Sequence, residues 1–278
     1  MVELKPKKVH FDYAKNKGQL PNESHYDTII DENCNIYDGD KLVCAYRKLP
    51  SDILKQLTAC TTRAKCAKSA RTRGVQQMSA VYGALPRVSC REDYCRFSAQ
   101  TKAQPEVFNS LSGVGRYLWG VYLSDFPEVA KAFELGVKEI EADWKKTGAP
   151  FTTINVNKNF AIGFHKDAAN FSGVYSNVLI TKKNTEGGLF VMPEYRVALK
   201  QAHGALVIVD GVTVPHGVTK IEPTDTTWER SSVVFYTLRN LTKCNDKKGE
   251  LLRSKHITTE RARKRAAKIN DMVKNNDR

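Results

Sequence analysis

The 278-residue sequence has no apolar run approaching the ~18 residues of a membrane-spanning helix, and its opening stretch, MVELKPKKVHFDY, lacks the apolar segment of a secretory signal. These two absences lead us to expect a soluble, intracellular protein that is not secreted and has no membrane partner. Cysteine is sparse and odd in number: Cys34, Cys44, Cys60, Cys66, Cys90, Cys95 and Cys244. An odd count without a signal argues against a disulfide framework. Five residues separate Cys60 from Cys66 and four separate Cys90 from Cys95, whereas a structural zinc site more usually shows gaps of roughly two to four residues in both knuckles. Ordinary half-buried thiols are the expectation. No internal repeat and no low-complexity tract is present. What is there excludes a disordered chain: 41% of residues are hydrophobic and 9% aromatic, enough for the core of one large domain or two small ones.

Acidic residues are too few to balance the basic ones, 30 against 44, for a formal charge of +14. The surplus is localised. Residues 1–45 hold 6 basic and 8 acidic side chains, and residues 103–242 hold 14 of each. Residues 46–102 hold 12 against 3, a net +9, and residues 243–278 hold 12 against 5, a net +7. Two concentrated basic segments are the footprint of a polyanion, so phosphate contacts to DNA are expected from 46–102 and 243–278. In the first segment Arg63, Lys65, Lys68, Arg71, Arg73, Arg87, Arg91 and Arg96 recur among small and polar residues. The second reads as a helix that is polar nearly all round, which equally fits a solvated face. An anionic membrane surface would require an apolar face that neither segment offers.

Periodicity divides the chain. Residues 1–30 read as an extended polar arm and Asn35–Tyr46 as a hairpin turning at Asp38-Gly39-Asp40, which together define an N-terminal unit over 1–45. Pro50–Leu57 opens a helix with Ser51 as its cap. Glu106–Leu123 and Phe126–Trp144 carry apolar residues at helical spacing. After Gly148 the period shortens, and Phe151–Val156, Ala161–Phe164, Tyr175–Thr181, Gly188–Met192, Ala205–Asp210 and Ser231–Leu238 read as strands. The expectation is an α+β domain over 46–242 with a sandwich- or barrel-like β core from about 150, then a basic helical tail over 243–278.

The stretch NVNKNFAIGFHKD carries the chemistry. On a strand, His165 and Asp167 point to one face and could offer an imidazole and a carboxylate to one metal ion. A third ligand, His216, follows a buried-looking strand in VDGVTVPHGV. An isolated H-x-D is most often a surface pair, but two histidines and a carboxylate make the facial set that leaves positions open on non-haem Fe(II). Downstream, Arg230 and Ser232 sit two residues apart at the start of a β-forming run, where a guanidinium fork and a hydroxyl would share a direction suited to a small carboxylate. Arg239, at the far end of the same run, is the weaker rival. His10, His25, His203 and His256 have no evident partner.

The order H-x-D, about fifty residues, His, about fourteen residues, R-x-S resembles that of 2-oxoglutarate- and Fe(II)-dependent dioxygenases of the double-stranded β-helix fold. More finely, the sequence resembles the TET/J-binding-protein family of nucleic-acid base hydroxylases. FTTINVNKNFAIGFHKDAANFSG, EGGLFVMPEY, ALVIVDGVTVPHGV and ERSSVVFYT carry the likeness, and RTRGVQQMSAVYGALPRVSCREDYC is similar to the block before that family's core. The resemblance spans roughly residues 40–242. It implies a jelly-roll core with N-terminal helices packed on it. It also implies His165, Asp167 and His216 as ligands of Fe(II), and Arg230 with Ser232 assisting as the holders of 2-oxoglutarate, with O2 as the second co-substrate.

The implied reaction is hydroxylation of the 5-methyl group of a pyrimidine in DNA, coupled to decarboxylation of 2-oxoglutarate to succinate, by a monomer. 5-Methylcytosine, going to 5-hydroxymethylcytosine and on to higher oxidation states, is favoured over thymine. Family members often carry an acid three residues after the triad aspartate, where this chain has Asn170. An aspartate only accepts hydrogen bonds whereas an asparagine does either, so the usual cue to the base is lost. Asn155 and Asn157 are further candidates for substrate contact. A 2-oxoglutarate oxygenase acting on RNA or protein, and a non-catalytic nucleic-acid-binding module, are the other readings; an intact five-residue set argues against the last.

Overall fold

Strands rich in β-branched and aromatic residues build most of the molecule, which a computed structural model describes over residues 2–71, 75–88, 92–145 and 149–276. The N-terminal arm holds β1 (Val2–Leu4), the short helix α1 (Tyr13–Asn16) and β2 (Thr28–Ile30), and the hairpin follows as β3 (Cys34–Asp38) and β4 (Lys41–Lys48). Helix α2 (Ser51–Arg63) leads to β5 (Ala67–Arg71), β6 (Val75–Leu85) and β7 (Arg96–Phe97), then to α3 (Ala99–Ala103), α4 (Pro105–Asp125) and α5 (Pro127–Gly136). The rest runs β8 (Thr153–Lys158), β9 (Ser176–Lys183), β10 (Thr185–Gly187), β11 (Phe190–Met192), β12 (Val197–Leu199), β13 (Ala205–Val209), β14 (Gly217–Val218), β15 (Ile221–Pro223), β16 (Glu229–Tyr236) and the helix α6 (Lys247–Asn276).

Two sheets face each other. The larger has the order β1-β3-β4-β13-β9-β16-β8-β6-β5, with β7 on β6, and the smaller is β14-β11-β12-β2. Between them lies a core that includes Ile36, Tyr46, Ile180, Phe190, Met192, Leu199 and Val207. A second core covers the outer face of the larger sheet, where Leu57 of α2, Leu111 and Leu118 of α4 and Phe133 of α5 join Tyr82, Ile154, Leu179, Val233 and Phe235. A sheet covered on both faces has no polar side, which is why β13 reads Ala-Leu-Val-Ile-Val and is buried throughout. In β16, Val233 and Phe235 belong to the helix-side core, so Arg230 and Ser232 take the opposite, inter-sheet face. This is the double-stranded β-helix with helices packed on one side.

Some expectations need correction. The β core does not begin near residue 150: β4 pairs with β13 and β6 pairs with β8, so the boundary expected after residue 45 falls inside a strand of the main sheet. Strand β6 escaped notice because its Gln, Ser and Gly residues break the alternation and it lies within the basic segment. The arm is extended but not loose, since β1 runs parallel to β3 and β2 parallel to β12. The helix expected over Phe126–Trp144 stops at Gly136, although Val137, Ile140 and Trp144 stay buried in the turns that follow. Ser51 is the first helical residue of α2, and Pro50 takes the cap position. Ala161–Phe164 is not a strand; Ile162 O accepts from Val218 N at 2.8 Å and Phe164 N donates to Gln19 O at 2.9 Å.

Cysteine usage is also corrected. Cys95 and Cys244 form a disulfide, 149 residues apart in sequence with Cα atoms 5.9 Å apart, a pairing that no local spacing could signal. Cys34, Cys44 and Cys60 are buried thiols and Cys66 is half-buried, while Cys90 lies outside the described residues. The disulfide joins the start of the basic tail to the first basic segment. Beside it Glu250, 1% exposed, accepts from Cys95 N at 2.6 Å and Asn245 N at 2.9 Å and pairs with Arg87. Trp144 Nε1 donates to Asn245 O at 2.8 Å and Arg253 Nε to Asp93 O at 2.6 Å. Among the described residues no helix is long and apolar enough to cross a membrane.

Candidate active site

Backbone pairing brings His165 and His216 together. Each donates its main-chain N–H to the other's carbonyl, at 2.9 and 3.0 Å, and the ring centroids are 4.3 Å apart. In each ring Nδ1 meets the carbonyl two residues upstream, Gly163 at 3.0 Å and Val214 at 2.9 Å. A carbonyl only accepts, so Nδ1 carries the proton and Nε2 presents a lone pair. Asp167 brings Oδ1 to 3.5 Å from His165 Nε2, and one ligand atom from each of the three residues lies within 4.8 Å of the others. Two outward-facing imidazole nitrogens and one carboxylate are a donor set that fits divalent iron.

The surroundings hold this geometry. Asp167 Oδ2 accepts from Ser176 Oγ at 2.6 Å and, more weakly, from Asn170 Nδ2 at 3.4 Å. Asn170 Nδ2 also donates to Ser176 Oγ at 3.0 Å. Gly211 lies against the same carboxylate: its carbonyl accepts from Asp167 N at 2.7 Å, and a Cβ there would meet Oδ2 at 2.4 Å. Burial alone would raise the Asp167 carboxyl, but its contact with His165, then the nearby His216 and the hydroxyl of Ser176, hold it below the usual carboxylate range. Burial, then the neighbouring His165, pushes His216 down to about 4 against the pull of Asp167, which keeps its imidazole neutral near pH 7. The Phe190 ring stacks on His216 at 5.1 Å.

The arm supports the site from behind. Phe164 packs against Phe11 and His25, with ring centroids 4.9 Å away in both cases, and Tyr13 Oη accepts from Lys166 N at 3.1 Å. His25 therefore has a structural place. His203 accepts from Lys182 N at 3.1 Å, and His10 and His256 are exposed.

Arg230 is 2% exposed, and its backbone is clamped by Asn159, whose Oδ1 accepts from Arg230 N at 2.8 Å and whose N donates to Arg230 O at 2.7 Å. Asn159 takes a φ of 50°, a conformation asparagine tolerates better than most residues. The guanidinium donates from Nη1 to Phe160 O at 3.4 Å and from Nη2 to Gln201 Oε1. Among the described residues no carboxylate pairs with it, and burial pushes it down to about 10. A buried cation without a countercharge fits a carboxylate ligand. On the same face Asn157 Nδ2 donates to Ser232 Oγ at 3.3 Å and Asn155 Nδ2 to Asn157 Oδ1 at 2.9 Å. Arg239 has left the strand for a short 3₁₀ turn.

The structure thus brings the triad together and places Arg230, Ser232, Asn155 and Asn157 on one sheet face, with Asn170 behind Asp167. Sequence reasoning missed Ser176, Gly211 and Gln201; only the Asp-Gly step before His216 hinted at a tight approach. The first basic segment is less free than its charge suggests. Arg47 is buried against Asp125, Arg87 pairs with Glu250 and Arg96 with Glu92, while Arg63, Lys65 and Lys68 are exposed. Arg73 and Arg91 lie outside the described residues.

Comparison with known proteins agrees with this geometry. A family model described as Tet_JBP, the oxygenase domain of the 2OGFeDO superfamily, matches residues 85–239. Thymine dioxygenase JBP1 of Trypanosoma brucei brucei is 24% identical over 206 residues, covering 73% of this chain and 24% of that protein. The bifunctional helicase and thymine dioxygenase JBP2 of Trypanosoma brucei brucei (strain 927/4 GUTat10.1) is 28% identical over 104 residues, 37% of this chain and 10% of that one. The chain thus spans a quarter or less of the length of these relatives. Among solved structures, NgTET1 in complex with 5mC DNA is similar with a TM-score of 0.57 and 14% identity, over 82% of this chain and 89% of that one. That likeness carries the fold.

Proposed function

The chain belongs to the Tet_JBP family of oxygenase domains within the 2OGFeDO superfamily, whose chemistry uses Fe(II), 2-oxoglutarate and O2, and from that premise we propose that it hydroxylates the 5-methyl group of a pyrimidine base in DNA. The observation that carries the proposal is the convergence of His165, Asp167 and His216 in one cluster, together with Arg230, a buried cation with no carboxylate partner among the described residues. When bound, the iron and its co-substrates supply the oxidising power for an unactivated methyl group.

The side chains supply position. His165 and His216 offer Nε2 lone pairs because backbone carbonyls hold their Nδ1 protons. Ser176 and Gly211 fix the Asp167 carboxylate. Arg230, with Ser232, takes the carboxylate of 2-oxoglutarate farther from the metal. The exposed cations of residues 46–102 and 243–278 hold phosphates, and the target base, stacked inside a duplex, must leave the stack to reach the triad.

Two substrates compete, each on its own observation. Ser176 gives its one hydroxyl proton to Asp167, so it can only accept from Asn170, and this turns the Asn170 amide nitrogen inward. An acceptor at Asn170 Oδ1 would match the exocyclic amino group of 5-methylcytosine and not the carbonyl of thymine at the same position. The named activity of JBP1 and JBP2 supports thymine instead. The deciding experiment supplies Fe(II), 2-oxoglutarate and O2 with DNA that contains 5-methylcytosine or only unmodified bases, then digests to nucleosides for mass spectrometry. One added oxygen on 5-methylcytosine, absent with Asp167→Ala, is the expected result. Oxygen on thymidine moves the substrate to thymine, and no oxidised nucleoside on either DNA overturns the proposal.

A further inference from the structure

Beside Arg230 lies a second buried polar side chain that the site as described does not use. Gln201, 1% exposed, follows β12 in the turn that leads to β13. A guanidinium has only donors, so the hydrogen bond from Arg230 Nη2 fixes Gln201 Oε1 toward Arg230. The Gln201 amide nitrogen is left over, and among the described residues Nε2 is buried with no hydrogen-bond partner. Arg230 Nε is buried without a partner as well. Two orphaned donors on side chains that touch each other are costly to leave unpaired, and a folded protein rarely keeps such a pair without a ligand to satisfy it.

The backbone passes close beside them. Gly188, at a φ of 64°, abuts the Arg230 side chain: a Cβ there would come to 3.2 Å from Nε and 3.7 Å from Cδ. Two residues on, Phe190 stacks on His216. Gly188 and Phe190 are two residues apart, so one segment of chain touches both the Arg230 side chain and the triad.

We propose that Gln201 is a co-substrate-binding residue, whose Nε2 donates to the same distal carboxylate of 2-oxoglutarate that Arg230 holds; this rests on the reading of the site as a 2-oxoglutarate oxygenase. A carboxylate is the ligand that meets the requirement, because it carries the charge Arg230 lacks and offers enough lone pairs for Nε and Nε2 together. Gln201 Oε1, by holding Nη2, also orients the guanidinium.

The test is calorimetric binding under anaerobic conditions with Mn(II) in the metal site, so that no turnover is read. Two ligands are compared: 2-oxoglutarate, and 2-oxopentanoate, in which a methyl replaces the distal carboxylate. Gln201→Leu is expected to raise the Kd of 2-oxoglutarate about tenfold, ~1.4 kcal/mol, and to leave that of 2-oxopentanoate within roughly twofold. Gln201→Glu, which keeps the acceptor toward Arg230 but sets a second carboxylate against the ligand, is expected to cost more than Gln201→Leu. The near-isosteric Gln201→Met should behave as Gln201→Leu and covers the case that the leucine variant does not fold.

Wild-type affinity for 2-oxoglutarate in Gln201→Leu or Gln201→Glu, with binding lost in Arg230→Leu, overturns the role of Gln201 and leaves the reading of the site standing. Equal losses for both oxoacids also overturn it, because they mark a general packing role. No 2-oxoglutarate binding by the unaltered protein removes the reading of the site, and the proposal with it.

Discussion

At the triad, orientation comes from buried partners: His165 Nδ1 and His216 Nδ1 rest on backbone carbonyls, and Asp167 Oδ2 on Ser176. Along α6 the opposite holds. The helix is 30 residues, ~45 Å, and is tied down through Glu250 and Arg253 near its start, whereas residues 261–269 are all exposed. A reacting centre needs ligand atoms held to fractions of an ångström, so its side chains are enclosed and hydrogen-bonded. A partner read as a line of phosphates needs only charge at roughly the right spacing, and exposed cations supply it. The two regions should therefore fail in different ways.

The sharpest break in that comparison is Asp167→Ala. It should reduce hydroxylation to background while the affinity for DNA stays within roughly twofold, as read by nucleoside mass spectrometry and by fluorescence anisotropy with labelled duplex. A loss of DNA affinity equal to the loss of turnover would merge the two regions into one. Ser176→Ala sharpens the comparison from inside the site. By freeing Asp167 Oδ2 it should weaken Mn(II) binding about 10- to 100-fold with DNA affinity again unchanged, and a titration of the metal checks this. A smaller effect is expected on the tail. Lys264, Arg265 and Lys268 lie three and four residues apart on one helix face, and changing all three to Gln should lower the slope of log K against log salt by about 0.9 for each phosphate no longer neutralised. Turnover at saturating DNA should not move.

The smallest effect concerns the anchor between the regions. Burial would raise the Glu250 carboxyl, but Arg87 and the backbone N–H groups of Cys95 and Asn245 hold it below its ordinary value. A depressed carboxyl stabilises fully above its unfolded value, and that contribution is lost as the pH falls through the folded one. Acidification below the ordinary glutamate range should therefore raise hydrogen exchange at the Cys95 and Asn245 amides before strands β9 and β16 lose protection. Glu250→Gln should show that exchange at neutral pH. The Cys95–Cys244 bond keeps the tail attached in both experiments.

The site was legible where chemistry follows spacing. Arg230 and Ser232 are two residues apart on β16, so its extended backbone puts both on one face; His165 and Asp167 have the same spacing, but an isolated bridge to His216 and the contact with Gly211 place them, not a strand. Strands β8, β9, β11, β13 and β16 were legible for a similar reason, since their apolar runs are bounded by Gly, Asn and Pro, whereas the short β10, β12, β14 and β15 carry too few residues to show a period. Strand β6 was not, because its Gln, Ser and Gly residues break the apolar alternation and only its pairing with β5 and β8 makes it a strand of the main sheet. Nor was the internal pairing of Arg87 and Arg96, since the acids that meet them are chosen by the packing of α6 and the turn beside it.

The sequence by itself determined the residue types of the triad, their order along the chain, the apolar strands that carry them and the two basic concentrations, because each is a property of neighbouring residues. Tertiary structure alone decided that Cys95 meets Cys244, that Ser176 and Gly211 hold Asp167, and that Gln201 turns an unpartnered amide beside Arg230. Those meetings join segments up to more than a hundred residues apart. They arise from the packing of whole sheet faces and of α6 against the turns beside it, whose register is set by burial and not by any pair of residues.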